Sequence, residues 1–319
     1  MIQKLETALN AVIFGKENLV QMVLTALLAN GHVLLEGLPG LGKTELVKAL
    51  QKALQLEARR IQFTPDLLPG DITGNPILQE EAGQRVFRFE PGPLFANLVL
   101  ADEINRASPK TQSALLEAMQ EARVTVMGET HLLPQPFFVL ATQNPIELEG
   151  TYPLPEAQLD RFLFKLEIEG NNVSTLERII LGRRLGEEVA VPVVMSREEL
   201  RELQQLVGRV YLPPAVANFI ARLVDGTHRG TKASEQIKFG ASPRAALALV
   251  AASRARALIK GRGHAAFEDV RALALPVLQH RLVLDYGARL EGFSSPQVVH
   301  QLLAEIPGQA LETPPVLSV

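Results

Sequence analysis

The chain has 319 residues, of which 47% are hydrophobic and 21% are charged, enough apolar material for two domains of ordinary size. A formal net charge of −3 gives no global attraction to nucleic acid, and the absence of cysteine excludes disulfides, thiolate catalysis and cysteine-ligated metals. The first ten residues contain no apolar core, so we expect no signal peptide. The apolar stretch at residues 19–29 is too short to span a membrane, so we expect a cytoplasmic protein without membrane insertion.

Apolar strands alternate with amphipathic helices through the first half of the chain. The hydrophobic pattern predicts strands at residues 32–35, 59–63, 98–101, 137–141 and 162–168. It predicts helices at residues 2–10, 16–30, 45–56 and 109–122. Such alternation is typical of a parallel sheet that is covered by helices on both faces.

Two hairpins and a change of pattern follow from the remaining sequence. Residues 66–93 are rich in proline and glycine and predict a long loop around a hairpin at 84–90, and a second hairpin is predicted at 123–133. After residue 170 only helical periodicity remains, in segments 174–185, 197–208, 214–228, 243–260, 267–282 and 296–305. We therefore expect an α/β domain over residues 1–190 and an all-α domain over residues 191–319.

A glycine-rich stretch after the first strand carries the strongest chemical motif. It fits the P-loop pattern GxxxxGK[ST], with the cradle residues Gly37, Pro39, Gly40, Leu41, Gly42, Lys43 and Thr44. Small residues let consecutive backbone N–H groups converge on a phosphate at the start of the next helix. We expect Lys43 to contact the β- and γ-phosphates and Thr44 to bind Mg²⁺. An ordinary turn is the alternative, but the order of strand, loop and helix favours a nucleotide site.

The third predicted strand ends in two acidic residues, Asp102 and Glu103. In isolation, such a pair is more typical of a helix start. Downstream of a P-loop it fits the Walker B pattern at the carboxyl end of a strand, where open α/β sheets bind ligands. We expect Asp102 to hold Mg²⁺ together with Thr44, and Glu103 to polarise the attacking water.

Three further polar residues are candidates for the same reaction. Asn144 ends the fourth strand, where its amide can hold the water or contact the γ-phosphate; an Asn-Pro turn is the alternative. Arg161 precedes the fifth strand and can supply the extra cation that phosphoryl transfer needs, from its own subunit or a neighbour's. Arg244 lies in the first turn of a predicted helix, where a cation is disfavoured unless an anion is nearby. For Arg161, a pairing with Asp160 or a solvated surface position is the alternative.

Taken together, these stretches resemble the AAA+ ATPases, and more narrowly the MoxR family. The resemblance rests on residues 36–44 (EGLPGLGKT), 61–69 (IQFTPDLLP), 101–107 (ADEINRA), 141–145 (ATQNP) and 155–162 (PEAQLDRF). Beyond residue 170 it rests mainly on Ser242-Pro243-Arg244. Gly70, where the family pattern has serine, is a small departure in a loop.

The resemblance implies an αβα nucleotide domain, a helical lid and a hexameric ring with ATP between subunits. It assigns Asn144 to sensor 1, Arg161 to the finger that acts on a neighbouring subunit, and Arg244 to sensor 2. It also places Val12, Ile13, Phe14 and Gly15 beside the adenine, for which a helix break with core residues is the alternative. Arg106 is either a second interface arginine or part of a salt bridge. The two hairpins would turn towards the pore, with Met127, Gly128 and Glu129 near the client.

Members of the resembled family act as chaperones with proteins that carry von Willebrand factor A (VWA) domains, in metal-cofactor insertion or complex assembly. This resemblance implies the same partners here. Three other hypotheses stay open: a nucleic-acid motor, the ATPase subunit of a magnesium chelatase, and a nucleotide-gated binding module that hydrolyses poorly. Few aromatic residues disfavour the first, and intact Walker B and finger residues disfavour the last.

Overall fold

The computed structural model describes residues 1–37, 42–81, 84–144, 150–182 and 189–308. The chain divides into two compact units, Met1–Leu206 and Val207–Val319. This division falls within the helix at Arg197–Arg209, later in the chain than the boundary expected between residues 190 and 191, which stays a prediction. Among the described residues, no helix combines the length and the apolar composition needed to cross a membrane.

The first unit contains an α/β core and two hairpins. Its helices are α1 (Ile2–Asn10), α2 (Glu17–Leu28), α3 (Lys43–Leu54), α4 (Pro69–Thr73), α5 (Pro109–Glu121), α6 (Glu156–Leu159), α7 (Val173–Gly182) and α8 (Arg197–Arg209), the last of which runs past the division. Its strands are β1 (Val33–Glu36), β2 (Ala58–Gln62), β3 (Gly74–Glu81), β4 (Gln84–Pro91), β5 (Leu98–Asp102), β6 (Arg123–Val126), β7 (Glu129–Leu132), β8 (Phe138–Gln143) and β9 (Phe164–Glu167). Short helices α4 and α6 were not predicted from the hydrophobic pattern.

Five of these strands form the predicted parallel sheet, in the order β2-β5-β8-β1-β9. Val99 pairs with Val139 and Leu34 with Ala141, so β1, β5 and β8 run side by side and their carboxyl ends lie at one edge. These three central strands are almost wholly apolar because helices cover the sheet. Leu115 of α5 belongs to the core cluster on one face, and α3 also packs against the sheet.

The first hairpin is longer than the sequence predicted. Residues 84–90 form only one strand, β4, and its partner β3 lies in the stretch that was interpreted as a loop. Pro76 argues against a strand in the sequence, because proline cannot donate a ladder hydrogen bond. A two-stranded ribbon tolerates it, since each strand has one edge that is not paired within the ribbon. The second hairpin was predicted correctly, and Met127 and Gly128 form its tight turn with φ of 51° and 85°.

The second unit is helical, as predicted, with one small addition. Its helices are α9 (Pro214–Asp225), α10 (Pro243–Ile259), α11 (Phe267–Leu278), α12 (Tyr286–Leu290) and α13 (Ser295–Glu305). The addition is an antiparallel pair of strands, β10 (Ile237–Phe239) and β11 (Val283–Leu284). Strands of three and two residues are too short to show an alternating pattern, which is why the sequence did not predict them.

A buried histidine, His32, lies just before β1 and forms hydrogen bonds with β8 and with α5. Its Nδ1 accepts a hydrogen bond from the Val139 N–H at 3.0 Å, and its Nε2 lies 3.0 Å from the Met119 carbonyl. The proton therefore lies on Nε2, which donates to that carbonyl. Burial lowers the pKa of His32 to about 4, and the Met119 contact only partly offsets this effect. His32 is thus a neutral core residue.

We expect His32 to make the stability of the protein depend on pH. The unfolded chain protonates this histidine near pH 6.5 and the folded protein near pH 4, so the unfolded state binds more protons in this window. The contribution of His32 to the free energy of unfolding should therefore fall from pH 6.5 to pH 4, by up to about 1.4 kcal/mol per pH unit.

Urea unfolding of the wild type and of His32→Gln tests this prediction. The difference in unfolding free energy between the two proteins should shrink as the pH falls through that window. His300→Gln, at an exposed position on α13, is the control and should show no such trend. A pH-independent difference for His32→Gln would contradict the assignment of a neutral, buried imidazole.

Candidate functional site

A cavity of about 370 Å³ lies at the carboxyl ends of the central strands. Its lining residues are Gly37, Gly42, Lys43, Thr44, Glu45, Arg60, Gln62, Asp102, Glu103 and Asn144. The structure thus brings together the described residues of the glycine-rich stretch, the acidic pair after β5 and the amide after β8. Three other predicted cradle residues, Pro39, Gly40 and Leu41, lie outside the described residues.

The glycine-rich stretch leads directly into α3. Gly42 precedes this helix with φ of 86°, a left-handed conformation that glycine adopts without steric cost. The first backbone N–H groups of α3 have no partner within the helix, so they are available to an anion. The Lys43 Nζ donates a hydrogen bond to the Gly37 carbonyl at 2.8 Å. The lysine side chain therefore folds back over the cradle.

The charge of Lys43 is balanced by the acidic pair. Burial lowers the pKa of Lys43, and the negative charges of Asp102 and Glu103 partly restore it. A bound phosphate would add negative charge beside the ammonium group and raise its pKa further. The site is therefore suited to an anionic ligand that replaces lost hydration around this lysine.

The hydroxyl of Thr142 holds the two acidic residues in place. Its Oγ1 donates to Asp102 Oδ1 at 2.6 Å and accepts the Glu103 N–H at 2.9 Å. Glu103 has φ of 56°, which is uncommon for a residue with a long side chain. The conformation turns the chain after β5, so the two carboxylates point to different partners. Thr142 was not predicted from the sequence as a site residue.

Both carboxylates already have basic or amide partners in this chain. The Arg60 Nη2 lies 2.7 Å from Asp102 Oδ2, while Gln62 Nε2 and Arg106 Nη1 lie 2.9 Å and 3.0 Å from Glu103 Oε2. The salt bridge that was one of the two hypotheses for Arg106 is therefore present. Arg60 and Gln62 were missed, although their alternate positions on β2, the neighbour of β5, place both on the face of Asp102.

Asn144 and Arg161 lie in different surroundings. Asn144 is buried after β8 and lines the cavity at the strand ends, called the phosphate cavity below because the predicted phosphate-binding stretch also lines it; its contact with water or nucleotide stays a prediction. Arg161 lines another cavity, of about 420 Å³, which also includes Glu117, Glu121 and Arg123. Its Nη1 donates to the Leu116 carbonyl at 2.9 Å, and its buried Nε has no partner among the described residues. Arg161 is thus not among the residues that line the phosphate cavity of its own chain.

Arg244 is exposed in the first turn of α10, in the second unit. Its backbone N–H donates to the hydroxyl of Ser242, which caps the helix, at 3.2 Å. The local helix start that the sequence predicted is therefore confirmed. The predicted contact of the Arg244 guanidinium with a nucleotide stays a prediction.

The segment predicted to flank adenine borders the glycine-rich stretch. A Cβ on Gly42 would lie 3.8 Å from Ile13 Cδ1, so this side chain is next to the cradle. Val12 and Ile13 are buried, which also fits their alternative role as core residues. Gly15 has φ of 66°, and a Cβ there would lie 2.4 Å from the Thr175 hydroxyl of α7.

Helix α7 adds contacts to this segment that the sequence did not predict. The Arg178 guanidinium lies 5.0 Å from the centre of the Phe14 ring, within the range of a cation–π interaction. Thr175 packs on Gly15 from the same helix. Contact of residues 12–15 with adenine stays a prediction.

The donor set fits Mg²⁺. Thr44 and Asp102 line the same cavity and offer a hydroxyl and a carboxylate, the hard oxygen donors that this ion prefers. No group of three or more metal-binding His, Cys, Asp or Glu residues occurs in the described part of the chain. A metal at this position would thus take few ligands from the protein and the rest from phosphate and water, as Mg²⁺ does in nucleotide sites.

Comparisons with known proteins agree with the fold and the site. A sequence profile described as the "ATPase family associated with various cellular activities (AAA)" matches residues 32–164, and an AAA lid domain profile matches residues 229–302. The crystal structure of a candidate ATPase from Cytophaga hutchinsonii superposes with a TM-score of 0.88 at 37% identity, covering 96% of this chain and 94% of that one.

Two relatives extend over nearly the whole chain. Chaperone MoxR1 of Mycobacterium tuberculosis is 42% identical over 96% of this chain and 84% of its own length. Protein MoxR of Paracoccus denitrificans is 31% identical over 95% of this chain and 94% of its own length. Fold, site and profiles together define a AAA+ ATPase. Within that class, the chain belongs to the MoxR family.

We expect Lys43→Ala to abolish nucleotide binding. The substitution removes the half-buried cation that lies beside Gly37, and a charged hydrogen bond to phosphate makes a large contribution to affinity. The Kd for ATP, measured by calorimetry, should rise by about 100-fold or more. Lys52→Ala, at an exposed position near the end of α3, is the matched control and should bind as the wild type does. Retained affinity in Lys43→Ala would contradict the assignment of the cradle.

Proposed function

We propose that the protein is a Mg²⁺-dependent ATPase that forms a hexameric ring and remodels or activates protein partners. The single observation that supports hydrolysis is the cavity in which Lys43 and Thr44 face Asp102, Glu103 and Asn144. This set supplies a phosphate cradle, a metal ligand pair and a candidate general base within one space. A binding module that does not hydrolyse ATP would not need a general base.

Five residues of the cavity carry out the proposed reaction. Lys43 and the free N–H groups at the start of α3 bind the β- and γ-phosphates. Thr44 and Asp102 hold Mg²⁺, which neutralises charge on the phosphate oxygens when it is bound. Glu103 accepts a proton from the attacking water, and Asn144 orients that water or the γ-phosphate. Glu103 must exchange its present contacts with Gln62 and Arg106 for the water before it can act.

Arg161 supports a site that is shared between subunits. It lines a cavity separate from the phosphate cavity of its own chain, and its buried Nε has no partner in the described part of the chain. Because the Arg161 side chain borders this cavity, its guanidinium can bind an anion that a second copy presents there. We therefore propose that Arg161 stabilises the charge on the γ-phosphate of the neighbouring subunit.

We expect Arg161→Ala to leave ATP affinity nearly unchanged and to lower kcat by about 10³-fold or more, the size of effect of an arginine finger. Arg123→Ala is the matched control, because Arg123 lines the same cavity and forms an exposed ion pair with Glu121 at 3.2 Å. Its kcat should change by less than about tenfold, since exposed ion pairs contribute little. Equal effects of the two substitutions would refute the specific role of Arg161.

Mixing two inactive variants separates action in trans from action in cis. Arg161→Ala retains Glu103, and Glu103→Gln retains Arg161. If the finger acts in trans, mixed rings contain interfaces with both residues intact, and ATP turnover should partly recover. If Arg161 serves its own subunit, no ratio of the two proteins should restore turnover.

The protein-remodelling part of the proposal has two supports. One relative is named a chaperone, and the family resemblance implies partners with VWA domains. The hairpins also expose large apolar side chains: Phe87 is 64% exposed, Met127 72% and Leu132 77%. The ring of Phe89 stacks on His131 at 3.9 Å, which joins the two hairpins. Such a surface suits an exposed protein segment better than a small ligand.

We expect Glu103→Gln to bind ATP but to hydrolyse it about 10²–10⁴-fold more slowly, because it lacks the general base. It should then hold a VWA-domain protein in the presence of ATP and release it with ADP. Size-exclusion chromatography of a mixture with a purified VWA-domain protein measures both states. Co-elution that is the same with ATP, with ADP and without nucleotide would contradict a nucleotide-controlled partner.

A further inference from the structure

Arg60 occupies the carboxylate that the proposed metal needs. Its Nη2 and Nε lie 2.7 Å and 3.2 Å from Asp102 Oδ2, so two N–H groups donate to one oxygen. The other oxygen, Oδ1, accepts the Thr142 hydroxyl. Asp102 is therefore a neutralised carboxylate with three of its acceptor positions in use.

The contact is not needed to hold the sheet together. The Arg60 side chain is 55% exposed, and β2 is an edge strand that is already paired with β5 along its length. An ion pair with such an exposed partner contributes little to folding stability. Arg60 can therefore leave Asp102 without loss of the fold, and its long side chain has solvent to move into.

We propose that Arg60 is a displaceable counter-cation that competes with the divalent metal for Asp102 and thereby sets the metal affinity of the site. The inference rests on the proposed function, in which Asp102 serves Mg²⁺. A guanidinium and a divalent ion that both lie beside one carboxylate repel each other, so each weakens the binding of the other to that carboxylate. Metal binding then includes the displacement of Arg60 from Asp102. When no metal is bound, Arg60 balances the charge of Asp102.

The neighbouring residue provides a matched control. Arg59 is on the same strand, is similarly exposed, and pairs with Glu57 at 2.9 Å instead of with Asp102. Both substitutions, Arg59→Gln and Arg60→Gln, remove one positive charge from β2. Only the second removes the competitor of the metal.

The test measures Mn²⁺, as a probe for Mg²⁺, binding to the ADP complex by electron paramagnetic resonance, so that no turnover interferes. Arg60→Gln should bind Mn²⁺ about tenfold more tightly than the wild type. Arg59→Gln should match the wild type. Arg60→Lys, which keeps the charge but loses the two-pronged contact, should lie between the two. Each protein is saturated with ADP, whose affinity is measured separately in the presence of a chelator, so that the Mn²⁺ affinities all refer to the ADP complex.

Unchanged or weaker Mn²⁺ affinity in Arg60→Gln, or an equal gain in Arg59→Gln, would overturn the inference. Failure of the proposed function would be seen in different samples, the wild type and Asp102→Asn. If the wild type with ADP binds no Mn²⁺, or if Asp102→Asn binds it as tightly as the wild type does, then Asp102 does not serve a metal. The proposed Mg²⁺ site and the proposed competition by Arg60 would then both be wrong.

Discussion

One hydroxyl joins the ends of two neighbouring strands and fixes the acidic half of the site. Thr142 donates to Asp102 and accepts from the backbone of Glu103, whose left-handed conformation needs such support. Because β5 and β8 are parallel and paired, this contact follows from the sheet order. The cradle at the end of β1 lies on the other side of β8 in the same sheet, so the geometry of the whole cavity depends on this alignment.

The charges of the cavity are already paired within the chain. Lys43 is held over the cradle, Arg60 neutralises Asp102, and Arg106 contacts Glu103. A nucleotide with its metal must therefore exchange these contacts for its own instead of entering an array of free charges. This arrangement links binding to rearrangement of the catalytic residues. It also explains how the like-charged carboxylates of Asp102 and Glu103 can lie close together, because each has an arginine beside it.

The sequence predicted what depends on local pattern, and it missed what depends on neighbours in the sheet. The P-loop, the acidic pair and Asn144 follow strands that were predicted to be parallel, so their meeting at one edge of the sheet was predictable. Thr142, Arg60 and Gln62 act across strands, and only the pairing of β2 with β5 and β5 with β8 shows their roles. The first hairpin was misjudged for a similar reason, because strand β3 contains Pro76 and is defined by its partner.

A structure of the protein with a non-hydrolysable ATP analogue and Mg²⁺ tests the central claim most directly. We expect the γ-phosphate to lie about 3 Å from Lys43 Nζ, and the metal to contact Thr44 and to lie beside Asp102, directly or through water. We also expect an Arg161 from a neighbouring copy at the same phosphate. A nucleotide bound away from the cavity at the ends of β1, β5 and β8, or an Asp102 turned away from the metal, would contradict it.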